Sequence, residues 1–197
     1  MKTLLIAGAN GLIARHLTQH FSAKGWKVVG LARREQGLHP DCLYVNWDGK
    51  TSGAWAKELE HCDAVVNLVG KSVNCRFTPE NKELIMSSRV ESTRIIGKAI
   101  EACDQPPAVW LNASGANFYG DSREHANDED GTKGAGFMTD VVEAWEKSLF
   151  DAAVPQQVRR VALRTSMVLA DEPGNPLRIF RTLAKLGMGG KISHGKQ

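Results

Sequence analysis

The strongest constraint on the fold lies at the start of the chain, TLLIAGANGLIARHLTQHF, where an apolar run passes through Gly8 and Gly11 into a helical pattern without a break. Leu4, Leu5 and Ile6 read as a buried strand, and Leu12, Ile13, Leu17 and Phe21 share one face of the helix that follows. A glycine turn between such a strand and helix gathers free backbone N–H groups and the positive end of the helix dipole, an arrangement suited to the phosphates of a dinucleotide. Gly8 would make the tight turn and Gly11 would let the backbone approach the pyrophosphate. Ala14 stands where a small residue permits close helix–sheet packing. An empty packing turn is the competing reading, and the strand–turn–helix context favours a nicotinamide cofactor.

The second informative place is LARR. Val28, Val29 and Leu31 read as the next buried strand, after which an NAD-selective fold carries Asp or Glu to accept bonds from the ribose hydroxyls. Arg33 and Arg34 stand there instead. Guanidinium groups match phosphate oxygens and keep their charge, so the pair suits the 2′-phosphate of NADP; the alternative is two solvated arginines on a loop.

Strand-like segments recur at 2–7, 27–32, 42–46, 64–69, 108–113 and 158–165, separated by helical or loop material. This alternation predicts an α/β, doubly wound, mainly parallel sheet of Rossmann type. The expected strand order is 3-2-1-4-5-6, with the crevice at the carboxyl ends of the strands where the order reverses. Residues 1–170 form the expected dinucleotide-binding domain, and 171–197 the beginning of a smaller C-terminal substrate lobe that the chain cuts short. At 197 residues, 42% hydrophobic and 24% charged, the chain has the balance of a globular protein. Its longest apolar runs are strand-sized and its start lacks the organisation of a secretory signal, so no membrane partner and a cytoplasmic location are expected. A net charge of +3 with dispersed basic residues argues against a nucleic-acid partner. Cys42, Cys62, Cys75 and Cys103 lack metal-knuckle spacing and read as reduced thiols. His16 and His20 have no third ligand, so no metal site is expected.

Pro79 opens a long helical region in which Leu84, Ile85, Val90, Ile95, Ile96 and Ala99 can cover the sheet. Residues 121–136 have charges and glycines but no apolar period, and read as a surface or active-face loop. A further helix spans Thr139 to Ala152, with Trp145 packing inward. Leu177, Phe180, Leu183 and Leu186 form a later apolar stripe that needs a partner; an exposed surface of this kind leaves room for a homodimer.

GANGLIARHL, VVGLARR, AVVNLVGKSV, SSRVESTRII, NASGANFYGD, EAWE, LRTSMVLA and GMGGKISHGKQ occur in order. With them the chain resembles the extended short-chain dehydrogenase/reductase superfamily, and more closely its atypical branch of NAD-dependent epimerase/dehydratase-like proteins. The resemblance implies an NADP-binding sheet followed by a lobe that closes over the substrate. It places dinucleotide contacts on Gly8, Asn10, Gly11, Leu12 and Ile13, on Arg33 and Arg34, and on Asn67, Leu68, Val69 and Gly70. Trp47 and Asp48 fall where relatives approach the adenine. Asp48 either accepts a hydrogen bond from the base or forms a turn.

Short-chain reductases use a tyrosine and a lysine four residues later; the matching positions here are Phe137 and Val141, which cannot replace that chemistry. In sugar epimerases a catalytic hydroxyl lies four positions before the tyrosine that matches Tyr119, and that position is Gly115. Ser114, adjacent, and Tyr119 are therefore the candidate catalytic residues, set against strand-end capping for the serine and edge packing for the tyrosine. His125, His194, Arg164 and Ser166 are weaker candidates for bordering a polar substrate. The expected activity is that of an NADP(H)-binding oxidoreductase-like or epimerase-like protein acting on a carbonyl, alcohol or nucleotide-sugar-like substrate. The alternatives are an NADP(H)-sensing module that has lost proton transfer, and a protein-interaction module that retains the fold.

Overall fold

The structure, a computed structural model, describes residues 1–121, 126–173 and 175–190. Its frame is a six-stranded sheet of β1 (Thr3–Ala7), β2 (Lys27–Ala32), β3 (Cys42–Asn46), β4 (Ala64–Asn67), β5 (Val109–Gly115) and β6 (Arg159–Thr165), ordered β3-β2-β1-β4-β5-β6. The sheet, its order and its doubly wound class are those expected. β1 lies parallel between β2 and β4, with Leu4 opposite Val28 on one side and Ala64 on the other. β2 pairs parallel with β3, and β4 with β5.

The unbroken apolar run of β1 follows from burial on both faces. Successive side chains alternate across the strand, so Leu5 and Ala7 enter one core layer with Leu31, Val65, Ile96, Trp110 and Leu149. Leu4 and Ile6 enter the other, with Ala14, Val28 and Val66. The helices α1 (Leu12–Ser22), α2 (Pro79–Glu101) and α3 (Phe137–Phe150) supply the outer surfaces. Thr78 caps α2, its hydroxyl accepting from the Asn81 N–H at 3.3 Å, and Pro79 follows where no intrahelical N–H is needed.

Several details depart from the sequence expectations. The buried residues of α1 are Ala14 and Thr18, while Ile13 is 37% exposed because it lies a quarter-turn off the buried stripe. On α2, Leu84 is 45% exposed and the sheet-facing set is Ile85, Ser92, Thr93, Ile96 and Ile100. β4 ends at Asn67, two residues early, because the chain turns there to run across Gly8. A 3₁₀ segment, Ala54–Leu59, has no counterpart in the sequence reading. It brings Trp55 to Trp47, ring centroids 4.7 Å apart, and both indole N–H groups donate to the Thr51 carbonyl at 2.9 Å.

The chain divides into two compact units, Met1–Arg164 and a second that begins at Thr165. Within the second, α4 (Pro176–Lys185) is capped by Asn175, whose side chain accepts from the Leu177 N–H at 3.1 Å, and an ion pair joins Arg181 to Asp171. Leu177, Phe180, Leu183 and Leu186 are exposed. No helix among the described residues is long and apolar enough to cross a membrane.

Candidate functional site

The β1–α1 turn is built around Gly8, whose φ of +83° is favoured by glycine alone. A Cβ there would come within 3.0 Å of the Leu68 carbonyl carbon and 3.2 Å of the Val69 nitrogen, so the turn lies directly on the backbone that leaves β4. Gly11 donates to the Gly8 carbonyl at 3.1 Å and sits at the N-cap of α1, with no side chain capping the helix and no acidic residue in its first turn. The first intrahelical bond runs from Arg15 to Gly11, which leaves the amides of Leu12, Ile13 and Ala14 without helical acceptors. An uncapped helix start beside a turn with glycine at both ends fits a phosphate group.

Asn10 ties this turn to the segment after β2, its amide donating to the Arg34 carbonyl at 3.1 Å and the Gln36 carbonyl at 2.7 Å. Arg33 and Arg34 are exposed beside it, and neither guanidinium makes an ion pair among the described residues. Two exposed cations next to an uncapped helix start fit an additional phosphate.

Asn67 closes the other wall, and its fully buried side chain is spent internally. It donates to Asn112 Oδ1 at 2.7 Å and Thr93 Oγ1 at 3.1 Å, and accepts from the Val69 N–H at 3.1 Å. Asn67 therefore fixes the start of the segment after β4, in which the backbone of Leu68 and Val69 faces Gly8 and Gly70 faces the Arg89 guanidinium. Asp48 is likewise occupied: its carboxylate accepts from the N–H groups of Lys50 and Thr51 at 2.8 and 2.9 Å and from the Thr51 hydroxyl at 3.0 Å. Those bonds, the Lys50 amide first, hold its carboxyl below the usual range. The turn read from sequence is present, and the carboxylate that forms it is exposed.

Sequence reasoning passed over Arg89. Its guanidinium donates to the carbonyls of Lys71 at 3.0 Å and Ile85 at 2.9 Å, lies 5.1 Å from the Trp145 ring centroid, and would stand 3.0 Å from a Cβ at Gly70. No carboxylate pairs with it among the described residues, and burial pulls its pKa down. Its register was the available signal, since Arg89 shares a helix face with Ile85, Thr93 and Ile96.

At the carboxyl ends of β5 and β6 the structure joins both catalytic candidates through two residues not selected for that role. Ser114, 7% exposed, donates to Glu146 Oε1 at 2.5 Å. Arg164 grips the same carboxylate at two points, Nε to Oε1 and Nη2 to Oε2, each at 2.8 Å, and its Nη1 donates to the Tyr119 hydroxyl oxygen at 2.9 Å. Burial raises the Glu146 pKa, but the bonds from Arg164 and then Ser114 outweigh it and hold the carboxyl below its usual value. Glu146 in turn raises the pKa of Arg164. Glu146 is 8% exposed on the core-facing side of α3, a register that a charged residue occupies only with a partner. The Arg164 guanidinium also stacks 3.6 Å from the Phe118 ring centroid. Two glycines lie against Tyr119: a Cβ at Gly134 would meet the Tyr119 carbonyl oxygen at 2.7 Å, and one at Gly131 the phenol ring at 3.0 Å.

Where the usual tyrosine and lysine would stand, Val141 is fully buried and Phe137 packs edge-on against Phe77 with centroids 5.5 Å apart. Ser166 falls in the second unit. His125 and His194 lie outside the described residues. Burial pushes the Cys62 and Cys103 thiols up to about 11, which favours their protonated form.

The sequence profile described as the NAD dependent epimerase/dehydratase family matches residues 4–139. An epimerase family protein of Staphylococcus haemolyticus is 33% identical over 200 residues, covering 100% of this chain and 65% of the relative. One from Bos taurus is 32% identical over 203 residues, covering 98% of this chain and 63% of the relative. The human epimerase family protein crystallised with NADPH has the same fold at a TM-score of 0.83 and 30% identity, over 99% of this chain and 63% of that one. A nucleoside-diphosphate sugar epimerase from Corynebacterium glutamicum gives a TM-score of 0.75 at 28% identity, over 98% of this chain and 39% of that one. The chain thus spans less than two thirds of the length of these relatives. A match over most of the chain, together with the glycine turn and crevice it contains, shows that this protein belongs to the NAD dependent epimerase/dehydratase family.

Proposed function

We propose that this chain binds NADP(H) in preference to NAD(H) and serves an oxidoreductase-like or epimerase-like reaction on a carbonyl, alcohol or nucleotide-sugar-like substrate. The observation that carries the cofactor reading is the juxtaposition of the uncapped start of α1 with the exposed Arg33 and Arg34, which make no ion pair among the described residues, linked through Asn10. The amides of Leu12 and Ile13 receive the pyrophosphate, and the two arginines receive the 2′-phosphate. Leu68, Val69 and Gly70 border the adenosine side with their backbone, and Arg89 adds positive charge beneath Gly70. The human relative solved with NADPH supports this preference. When bound, the dinucleotide supplies hydride acceptance and donation. Tyr119 is the group this chain offers to a reacting oxygen, and Ser114, bonded to Glu146, belongs to the same hydrogen-bonded set.

Calorimetry with NADPH and NADH side by side tests the cofactor reading. Tight NADPH binding that weakens at least tenfold in R33A/R34A is expected, the loss of two phosphate contacts being worth about 1.5–3 kcal/mol each. Equal affinity for the two cofactors would end the proposal of NADP selectivity.

A second reading is favoured by the apolar Phe137 and Val141: a cofactor-sensing protein without turnover. A screen of carbonyls and alcohols separates the two. Cofactor oxidation or reduction that S114A or Y119F sharply lowers supports catalysis, and NADPH binding without turnover supports sensing.

A further inference from the structure

We infer that Tyr119 is the hydrogen-bond donor of this site, with Arg164 and Glu146 as its positioning residues, so that the ligand atom it receives is an acceptor such as a ketone or aldehyde oxygen. This assignment rests on the reading of the crevice as a carbonyl or alcohol site.

It follows from counting protons. A serine hydroxyl has one, and an ionised carboxylate can only accept, so the 2.5 Å bond between Ser114 and Glu146 commits the serine proton to the carboxylate. Glu146 is held ionised by two bonds from Arg164, so the direction of that bond is settled. While it stands, Ser114 cannot donate to a ligand. A guanidinium can only donate, so the 2.9 Å bond from Arg164 to Tyr119 uses a lone pair of the phenol and leaves the phenol's proton uncommitted. Among the described residues that proton has no acceptor.

The phenol is also held in place. Arg164 bonds it on one side and stacks on the neighbouring Phe118, while Gly131 and Gly134 lie against its ring and backbone. A donor fixed before the ligand arrives does not have to reorganise when it binds. Glu146 acts at one remove: it fixes the Arg164 fork, and the fork orients Tyr119.

The test uses cyclohexanone labelled with ¹³C at its carbonyl, an acceptor-only probe, titrated with the chain and followed by NMR. Donation of a hydrogen bond to the carbonyl moves its resonance downfield. Wild type and S114A are expected to produce the movement, Y119F to abolish it, R164M to diminish it, and R164K to restore part of it. Circular dichroism confirms that each variant is folded, and the conservative Y119F decides the outcome if R164M is not. No movement with wild type, movement that survives Y119F, or movement lost in S114A overturns the assignment. A purely structural brace would hold the fold in all four variants without distinguishing their probe shifts. The probe needs no dinucleotide. Failure here with NADPH binding intact removes Tyr119 as donor and leaves the cofactor reading standing, and the converse result does the reverse.

Discussion

Gly8 and Glu146 are the residues on which most depends, for opposite reasons. At Gly8 a side chain is excluded twice, by a φ of +83° and by the Leu68 backbone 3.0 Å from where a Cβ would stand. G8A is expected to cost about 1–3 kcal/mol in urea denaturation and to eliminate NADPH binding by calorimetry, because relieving the contact shifts the wall of the phosphate site. At Glu146 a charge is retained in the core because its partners are fixed. Its folded-state pKa lies below the ordinary value of 4.5, so its contribution to stability is fully present above about pH 4.5 and is lost as pH falls through the lowered folded value. Urea denaturation from pH 6 to pH 3 should therefore show a steeper acid decline in wild type than in E146Q. At neutral pH E146Q should be less stable by about 1.5–3 kcal/mol, since the half-buried Arg164 loses its charge-assisted bonds and its counter-charge. A wild-type acid limb no steeper than that of E146Q would contradict this account of the ion pair. The glycine was legible in the sequence because its requirement is local. Glu146 and Arg164 were not, because their pairing joins α3 to the end of β6, 18 positions away in sequence.

At the level of elements, the strands were read closely because burial on both faces turns them into continuous apolar runs that stand out from the helical period. Helix faces were read less well. Ile13 and Leu84 fit an apolar stripe by spacing, yet the buried stripes of α1 and α2 run through Ala14 and Thr18, and through Ser92 and Thr93. Those small and polar residues are buried because the helices approach the sheet closely and because partners meet them there: Thr93 accepts from Asn67 at 3.1 Å and from the Trp145 indole at 3.0 Å. The same close packing governs α3. Val141 faces the core with no exposed surface, so V141K, which would restore a lysine at the family's usual position, is expected to destabilise the fold by about 3–5 kcal/mol and not to create a catalytic pair. Thermal denaturation checks this, and a V141K protein as stable as wild type would show that the position tolerates the charge. The end of α2 is simpler: T78A removes the cap on Asn81 and should cost about 1 kcal/mol by the same measurement.

Over the whole molecule, the switch in strand order between β1 and β4 opens the crevice where the Gly8 turn, the Leu68 backbone and the uncapped α1 meet, and the Ser114–Glu146–Arg164–Tyr119 set lies along the same sheet edge at β5 and β6. If NADPH binds the first unit in its folded form only, a concentration 100 times Kd should add about 2.7 kcal/mol of stability, roughly 5–10 °C in Tm, and R33A/R34A should erase most of that shift at the same concentration. A thermal shift scan with both cofactors reads this directly. The amino-acid sequence alone determined the class of sheet, its strand order, the glycine turn after β1 and the arginines after β2, because each depends on local periodicity, on one backbone conformation or on the chemistry of one side chain. Only the tertiary structure decided that Asp48 and Asn67 spend their side chains internally, that Arg89 lies beneath Gly70, and that Ser114 gives its proton to Glu146 while Tyr119 keeps its own. Those outcomes depend on which buried polar groups find partners across separate elements, and burial makes the partner's identity, not the residue's own propensity, the deciding free energy.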